Sequence, residues 1–547
     1  MARTLLVSYP GYPSTPRHLV ANSWLANTAG ALLAAGHQAR IVDYGTVAMM
    51  RRLFPEALTA QLKPIATRQM ADRPGNPDVE QLGKLQELAA HLDAHQQQTT
   101  NEAVEELVAQ VRREKPDLVG FDLSDGDGFS GSVTMAEMLH VEFPKLHICA
   151  GGRKAAWFRK LILRTTNGFD TIVCGDPEVA VVRLAEFTEG KGRLQEIPGI
   201  VYEDSGQAIE TPRDESVSLD ELALPAYDTD TYPAMAGDEK IKMVILTDSR
   251  GCPNRCAFCV HPMEDGGRQR IASATKIADI MQAMQQLHGI SVFRFGGSST
   301  PGSLMYEVAR EIIRRGLDVQ YNTFGHFRSA NPDHFQLMAQ SGLYSIFFGL
   351  ESGSQEILDK AVHKGIKLAE VEATLHAAQA AGIFAAASMI VPLPFDTEDT
   401  LAESLNFVTR LRPDSVPLQF PGVLPGTPWI ENPQYYGIEI DDVERFLLDN
   451  LDYRFKLLFP PQFWDPLPYK INGMSFHEFT AVTMQFARQL EEADILTNFS
   501  HTLAAIAQSA EMAPRQLRDM AQLWCVTGDA EAMGSMVEKA NRGIVRR

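Results

Sequence analysis

The chain has 547 residues, 45% of them hydrophobic and 22% charged, and a formal charge of −19. That composition excludes a disordered chain, and the length has room for about three or four domains. The acidic balance speaks against nucleic acid or an anionic membrane as partner, because both attract a basic surface.

No apolar run reaches the roughly 18 residues that a membrane-spanning helix needs. The longest, over 382–395, is interrupted by prolines. The first apolar run, Leu5-Leu6-Val7, stops at Tyr9-Pro10-Gly11. It reads as a strand rather than a signal peptide, so the expected location is the cytoplasm.

Strands are expected over 5–8, 39–43, 118–123, 147–150 and 171–174. Between them run helices over 22–35 and 77–115, and another ending near His140. Continuous apolar strands alternating with helices imply an α/β, Rossmann-like, doubly wound parallel sheet. Ligands of such sheets lie at the carboxyl ends of the strands. Here that edge carries Tyr9, Pro10, Gly11, Ser124, Gly126, Gly128, Gly151, Gly152, Arg153, Gly175, Asp176 and Glu178. The glycines form either a floor for a large, flat or phosphate-bearing ligand or ordinary strand-to-helix turns. The run from Gly126 to Gly131 fits G-x-G-x-x-G, but it follows the third strand, and the next strand ends in Arg153 rather than an acid. Both departures argue against a dinucleotide site.

The expected domains are a Rossmann-like unit over 1–195, a hairpin and linker over 196–239, a partial barrel over 240–430 and a helical region over 431–547. A strand over 243–247 leads into Cys252-Pro253-Asn254-Arg255-Cys256-Ala257-Phe258-Cys259, while Cys149, Cys174 and Cys525 stand alone. Six cysteines in so long a chain make no disulfide framework. Three thiols within eight residues are a metal-binding pattern. Structural zinc would need a fourth ligand, for which His261 stands two residues on. An iron–sulfur cluster on three cysteines would leave one iron open.

The C-x3-C-x2-C spacing, with an aromatic before the last cysteine and directly after a strand, resembles the cluster loop of the radical S-adenosylmethionine (SAM) superfamily. Further strands agree: Phe293-Arg294-Phe295-Gly296-Gly297-Ser298, Tyr321-Asn322-Thr323-Phe324, the G-x-E-S-G segment Gly349-Leu350-Glu351-Ser352-Gly353, and 387–394. The resemblance implies a partial (β/α)6 barrel with its site at the carboxyl-end loops. It implies that Cys252, Cys256 and Cys259 hold a [4Fe–4S] cluster. It places Phe258, Gly296, Gly297, Ser298, Asn322, Glu351, Ser352 and Val391 near SAM. Ser298-Ser299-Thr300 stand where the family usually has an acid.

The N-terminal domain, then Ile197-Pro198-Gly199-Ile200-Val201-Tyr202, then the cysteine barrel, resembles the cobalamin-dependent (class B) radical SAM enzymes over residues 1 to about 430. That likeness implies cobalamin across the glycine edge. The D-x-H-x-x-G histidine motif is missing, since Asp93-Ala94-His95 is followed by three glutamines. Cobalamin without histidine ligation follows, with Arg68 and Arg73, in the loop region after the second strand, as candidates for its lower face. The implied reaction is reductive cleavage of SAM to a deoxyadenosyl radical. Hydrogen abstraction and methyl transfer from methylcobalamin to an unactivated centre follow, at an sp3 carbon or another atom of a small molecule or peptide. An electron donor such as flavodoxin or ferredoxin is implied.

Three rivals bear on this reading. Methylthiotransferases need three more cysteines in the N-terminal domain, which has only Cys149 and Cys174. Ring contraction or cyclisation with the same cofactors stays open. A non-catalytic cobalamin sensor would have no use for the triad. The last hundred residues show helical patterns over 442–451, 476–491, 496–509, 514–524 and 529–542. They either shape the substrate pocket or merely close the barrel, with Trp464 and Tyr469 as lining or core. His477-Glu478 lacks the second histidine of a zinc protease, with Ala481 in its place.

Overall fold

The computed structural model describes residues 1–71, 79–214, 217–264, 267–459 and 461–546. The N-terminal sheet is built from β1 (Arg3–Ser8), β2 (Gln38–Asp43), β3 (Leu118–Asp122), β4 (His147–Gly151) and β5 (Thr171–Val173), all parallel. Central β1 and β3 are buried almost end to end, as expected where helices cover both faces, whereas edge strand β2 is not. Helix Ser23–Ala34 starts where the Asn22 side chain accepts a hydrogen bond from Leu25 N at 3.1 Å.

The hairpin of β6 (Ile200–Asp204) and β7 (Gln207–Glu210) pairs antiparallel onto β5 and extends the same sheet to seven strands, in the order β2-β1-β3-β4-β5-β6-β7. Sequence reading had set this hairpin apart from a five-stranded sheet. Helices Val47–Leu53, Glu56–Ala71, Gly152–Thr165 and Pro177–Thr188 are additions to the sequence-based expectation. Helix Glu56–Ala71 contains Pro64 and places Arg68 on a helix, not in a loop. Arg73 lies outside the described residues.

The second sheet begins with β8 (Val244–Leu246). A short hairpin follows, β9 (Ser249–Gly251) against β10 (Gln269–Ile271). Then come β11 (Val292–Phe295), β12 (Gln320–Gly325), β13 (Leu343–Glu351), β14 (Phe384–Ile390) and β15 (Leu418–Gln419). Strands β8-β11-β12-β13-β14-β15 are parallel neighbours in that order, which makes the partial (β/α)6 barrel. The intervening helices start and stop on local signals: Ser273 caps helix Ala274–His288, and Gly289 in the left-handed region ends it.

Beyond the barrel the chain is mostly helical, with helices Val443–Leu451, Phe476–Glu492, His501–Ser509, Pro514–Thr527 and Ala530–Ile544. Helix His501–Ser509 packs against β12, β13 and β14 and closes the barrel's open face. Its first carbonyl, His501 O, accepts from Asn322 Nδ2 at 3.1 Å and Ser345 Oγ at 3.0 Å. Helices 514–527 and 530–544 pack on helices 56–71 and 47–53, so the C-terminal region joins both sheets. Tyr469 is core, its hydroxyl donating to Pro421 O. Trp464 staples a loop through Nε1 to Lys456 O and Phe459 O. No described helix is long and apolar enough to cross a membrane.

Candidate functional site

The cysteine loop grows directly from β9 and is pinned from two sides. Ala257 N donates to Val362 O at 2.9 Å, and Trp429 N donates to Ala257 O at 3.2 Å. The fully buried Trp429 donates its indole N–H to Ala361 O. Its ring lies 5.8 Å from that of Phe258. Cys252 and Cys256 are buried and Cys259 partly so. Burial pushes the Cys256 thiol up to about 11 and the Cys259 thiol up to about 12, while the charge of Lys364 pulls both down.

Among the described residues no three His, Cys, Asp or Glu side chains gather as the shell of a single ion. Zinc, at about 2.3 Å from each sulfur, would draw its ligands together. A four-iron cube takes each thiolate on a separate iron. An all-thiol donor set on one clamped loop, beside a cation, fits the cube. His261 packs edge-on to Trp157.

The cation belongs to a buried pair. Lys364 Nζ lies 2.6 Å from Glu351 Oε1, and both side chains are 8% exposed. Burial would lower the ammonium, but the Glu351 carboxylate outweighs it and holds Lys364 charged. Glu351 ends β13 at a register shift, with φ at +69°, a region that non-glycine residues rarely occupy. A side chain at Gly349 would fall 2.2 Å from both charged groups, so glycine there makes room for the pair.

The other residues expected near SAM divide between open and structural positions. Gly297 N donates to Asp248 Oδ1 at 2.7 Å, and a Cβ on Gly297 would strike Ser249 and Asp248, so this turn is closed around Asp248. Gly296 leaves its carbonyl to Arg153, whose Nη2 donates at 3.2 Å. Ser298 follows in the same turn, partly exposed. Ser352 bonds Ser404 Oγ and Ser354 N and organises the helix start beyond β13. Val391 O accepts from Thr483 Oγ1. Asn322, fully buried at the barrel face, has its Oδ1 without a partner among the described residues.

At the N-terminal edge the glycines serve protein packing. A Cβ on Gly128 would meet Tyr9 O, Pro10 C and Ser124 Cβ. On Gly151 it would meet the Trp24 ring, and on Gly152 the carboxyl of Asp122. A Cβ on Gly126 would meet Tyr453 O, on Gly11 Asp127, and on Gly175 Gly199. What these turns offer a ligand is backbone. A cleft does open where strand order reverses between β1 and β3, lined by Tyr9, Gly11, Thr100, Asp127, Ser130 and Arg454 among others. Such a switch point is where open α/β sheets take their ligands.

The two edges face one another. Asp176 and Glu178, from the turn after β5, bind Arg250 of β9 at 2.6 and 2.7 Å. Arg270 of β10 holds Asp176 with two hydrogen bonds, at 2.7 and 2.9 Å. These two acids act between the sheets. Sequence reading missed Lys364, Arg17 and His501. It passed over Arg294 too, although a lone charge in the apolar strand Phe293-Arg294-Phe295 was a usable signal.

Asp122, at the end of β3, gives a pH test of this edge. Burial raises its carboxyl to about 7, although Asn22 Nδ2 donates to it at 2.6 Å. A carboxyl raised on folding binds its proton more tightly in the native chain, so stability falls as pH climbs from about 4 to about 7. Asp122→Asn should therefore raise the thermal midpoint at pH 8 relative to wild type and bring little gain at pH 4. Parallel melts at the two pH values measure this.

Comparison with known proteins agrees with this arrangement. The model of the B12 binding domain matches residues 83–185, and that of the radical SAM superfamily matches 246–408. An uncharacterized methyltransferase of Pyrococcus horikoshii is 24% identical over 323 residues, 58% of this chain and 69% of its own. The anaerobic magnesium-protoporphyrin IX monomethyl ester cyclase of Cereibacter sphaeroides is 23% identical over 365 residues, 64% of this chain and little over half, 57%, of its own. Among solved structures, the radical SAM methyltransferase TsrM of Kitasatospora setae, with cobalamin and [4Fe-4S] cluster bound, superposes with a TM-score of 0.63 at 15% identity, covering 97% of this chain and 100% of its own.

Proposed function

We propose that this chain, a cobalamin-dependent radical SAM enzyme by its two domains and its fold, is a methyltransferase acting on an unactivated centre of a small molecule or peptide. The observation that carries the reading is the pairing of a clamped three-cysteine loop with the ligand edge of a B12-type sheet, held together by Arg250, Arg270, Asp176 and Glu178. When bound, the cluster and SAM supply one-electron cleavage to a hydrogen-abstracting radical, and the corrin supplies a transferable methyl group.

The chain's residues do the positioning. Cys252, Cys256 and Cys259 would hold the cluster, with the Lys364–Glu351 pair beside them. Phe258, Gly296, Gly297, Ser298, Asn322, Glu351, Ser352 and Val391 form the surroundings proposed for SAM. The edge from Tyr9 to Gly11, with Ser124, Gly126, Gly128, Gly151 to Arg153 and Gly175, is the surface proposed for cobalamin. Helix His501–Ser509 closes the barrel and excludes water from its face. We place the enzyme in the cytoplasm, fed by flavodoxin or ferredoxin.

Anaerobic reconstitution tests the proposal. The loaded chain should take up iron, sulfide and one corrin, and convert SAM to S-adenosylhomocysteine as well as deoxyadenosine. Deoxyadenosine alone would point to a rearrangement or cyclisation without methyl transfer. Neither product, from a chain that binds the corrin, would point to a sensor.

A further inference from the structure

Three cations near the join of the two sheets have carboxylates only beyond ion-pair distance among the described residues: Asp125 for Arg17, Asp248 for Arg294 and Asp122 for Arg153. Arg17, Arg153 and Arg294 form no ion pair among the described residues, and the Arg294 guanidinium makes no hydrogen bond there. Arg294 points to the barrel face beside Asn322, its register partner, and lies 5.3 Å over the Phe324 ring. His501, 2% exposed, stands 4.5 Å edge-on to Phe324 and 5.2 Å from Phe347. Both its ring nitrogens, Asn322 Oδ1 and Arg294 Nε are buried without partners among the described residues. Arg17 comes from the turn after β1, Arg153 from the turn after β4, and helix His501–Ser509 packs on the first of these turns.

Orphaned buried polar atoms are few in folded proteins, and each calls for a partner. Here burial and the neighbouring guanidinium groups lower Arg294 to about 9 and keep His501 neutral. Arg17 and Arg153 are exposed side chains whose charge reaches Arg294. A guanidinium fork matches a carboxylate or phosphate in two-point fashion.

We infer that Arg294 and Arg17, with His501, form the recognition site for an anionic substrate, binding its carboxylate or phosphate against the Phe324 and Phe347 rings. The inference rests on the function proposed above and names the substrate class of the same site. SAM also carries a carboxylate, so the test separates the two sources. Succinate and inorganic phosphate serve as probes, titrated calorimetrically into full-length, anaerobically loaded enzyme saturated with SAM.

One of the two anions should bind at one site per chain. Arg294→Gln and Arg17→Gln should each weaken it at least about tenfold, Arg294→Lys less, with SAM affinity held within about twofold. Two outcomes overturn the inference. Neither probe binds, or the variants weaken SAM about tenfold and leave anion binding intact. Each variant is checked for wild-type corrin uptake, so that misfolding is not read as lost recognition. Should the chain take up no cluster and no corrin, the proposed function fails by itself. Anion binding to the unloaded chain, with its loss in the two glutamine variants, would still read the arginine site.

Discussion

Cys256→Ser should abolish SAM cleavage, lowering the rate by at least about 10³-fold, the equivalent of roughly 4 kcal/mol of barrier. The argument is local. Cys256 sits at the centre of the loop, with its neighbour Ala257 clamped between Val362 O and Trp429 N. Its thiol is buried and pushed up to about 11, so only a strong cation draws its proton off at neutral pH. A serine hydroxyl, harder and far less acidic, cannot replace that thiolate on iron. The loop should still fold, because its clamps are backbone and tryptophan contacts that the substitution leaves alone. The expected signature is therefore selective: iron and sulfide content falls, deoxyadenosine disappears, and corrin uptake and the melting midpoint remain near wild type. Loss of corrin binding together with iron would show that the substitution had disturbed the whole chain.

The parts of this site differ in how far the sequence disclosed them, and the reason is physical. The cysteine loop was legible because three ligands fall within eight residues, so local spacing carries the chemistry. Strands β1 and β3 were legible because burial on both faces writes an unbroken apolar run. Helix Glu56–Ala71 was not, since Pro64 interrupts its pattern and its partner, helix Pro514–Thr527, lies some 450 residues away. The β6–β7 hairpin showed as a hairpin, but its pairing onto β5 is a tertiary choice. Lys364 and His501 act only through the fold that brings them to Glu351 and Arg294. The edge glycines were visible too, but their use was not. The structure fills their missing side-chain space with Tyr9, Trp24 and Asp122 rather than leaving it open.

The join between the sheets should be the most sensitive structural element outside the cysteine loop. Arg250→Ala would leave Glu178 without its cation and Asp176 with Arg270 alone. Asp176 and Glu178 side chains are 8% and 4% exposed, so both carboxylates are largely desolvated. Removing one partner of such a buried group costs about 3–5 kcal/mol, because the remaining charge is stranded. The melting midpoint should fall by several degrees, and Glu178→Gln in the same chain should recover part of the loss by removing the stranded charge.

The pH dependence has a definite sign. Burial works to raise the Asp176 carboxyl, but the Arg270 hydrogen bonds and the Arg250 charge outweigh it and hold it below the usual range. A depressed carboxyl gives stability that is complete above about pH 4 and lost as pH falls through the lower folded value. The midpoint gap between wild type and Arg250→Ala should thus be full at pH 7 and narrow as pH falls and the stranded carboxylate takes up a proton. Function should change in kind as well as amount. Arg250 stands two residues before Cys252 and fixes the root of the cluster loop against the turn after β5. With that root loosened, SAM cleavage should continue while the two edges lose alignment, so the ratio of S-adenosylhomocysteine to deoxyadenosine should drop. An unchanged ratio in a destabilised variant would mean that the clamp holds the fold together without aligning the chemistry.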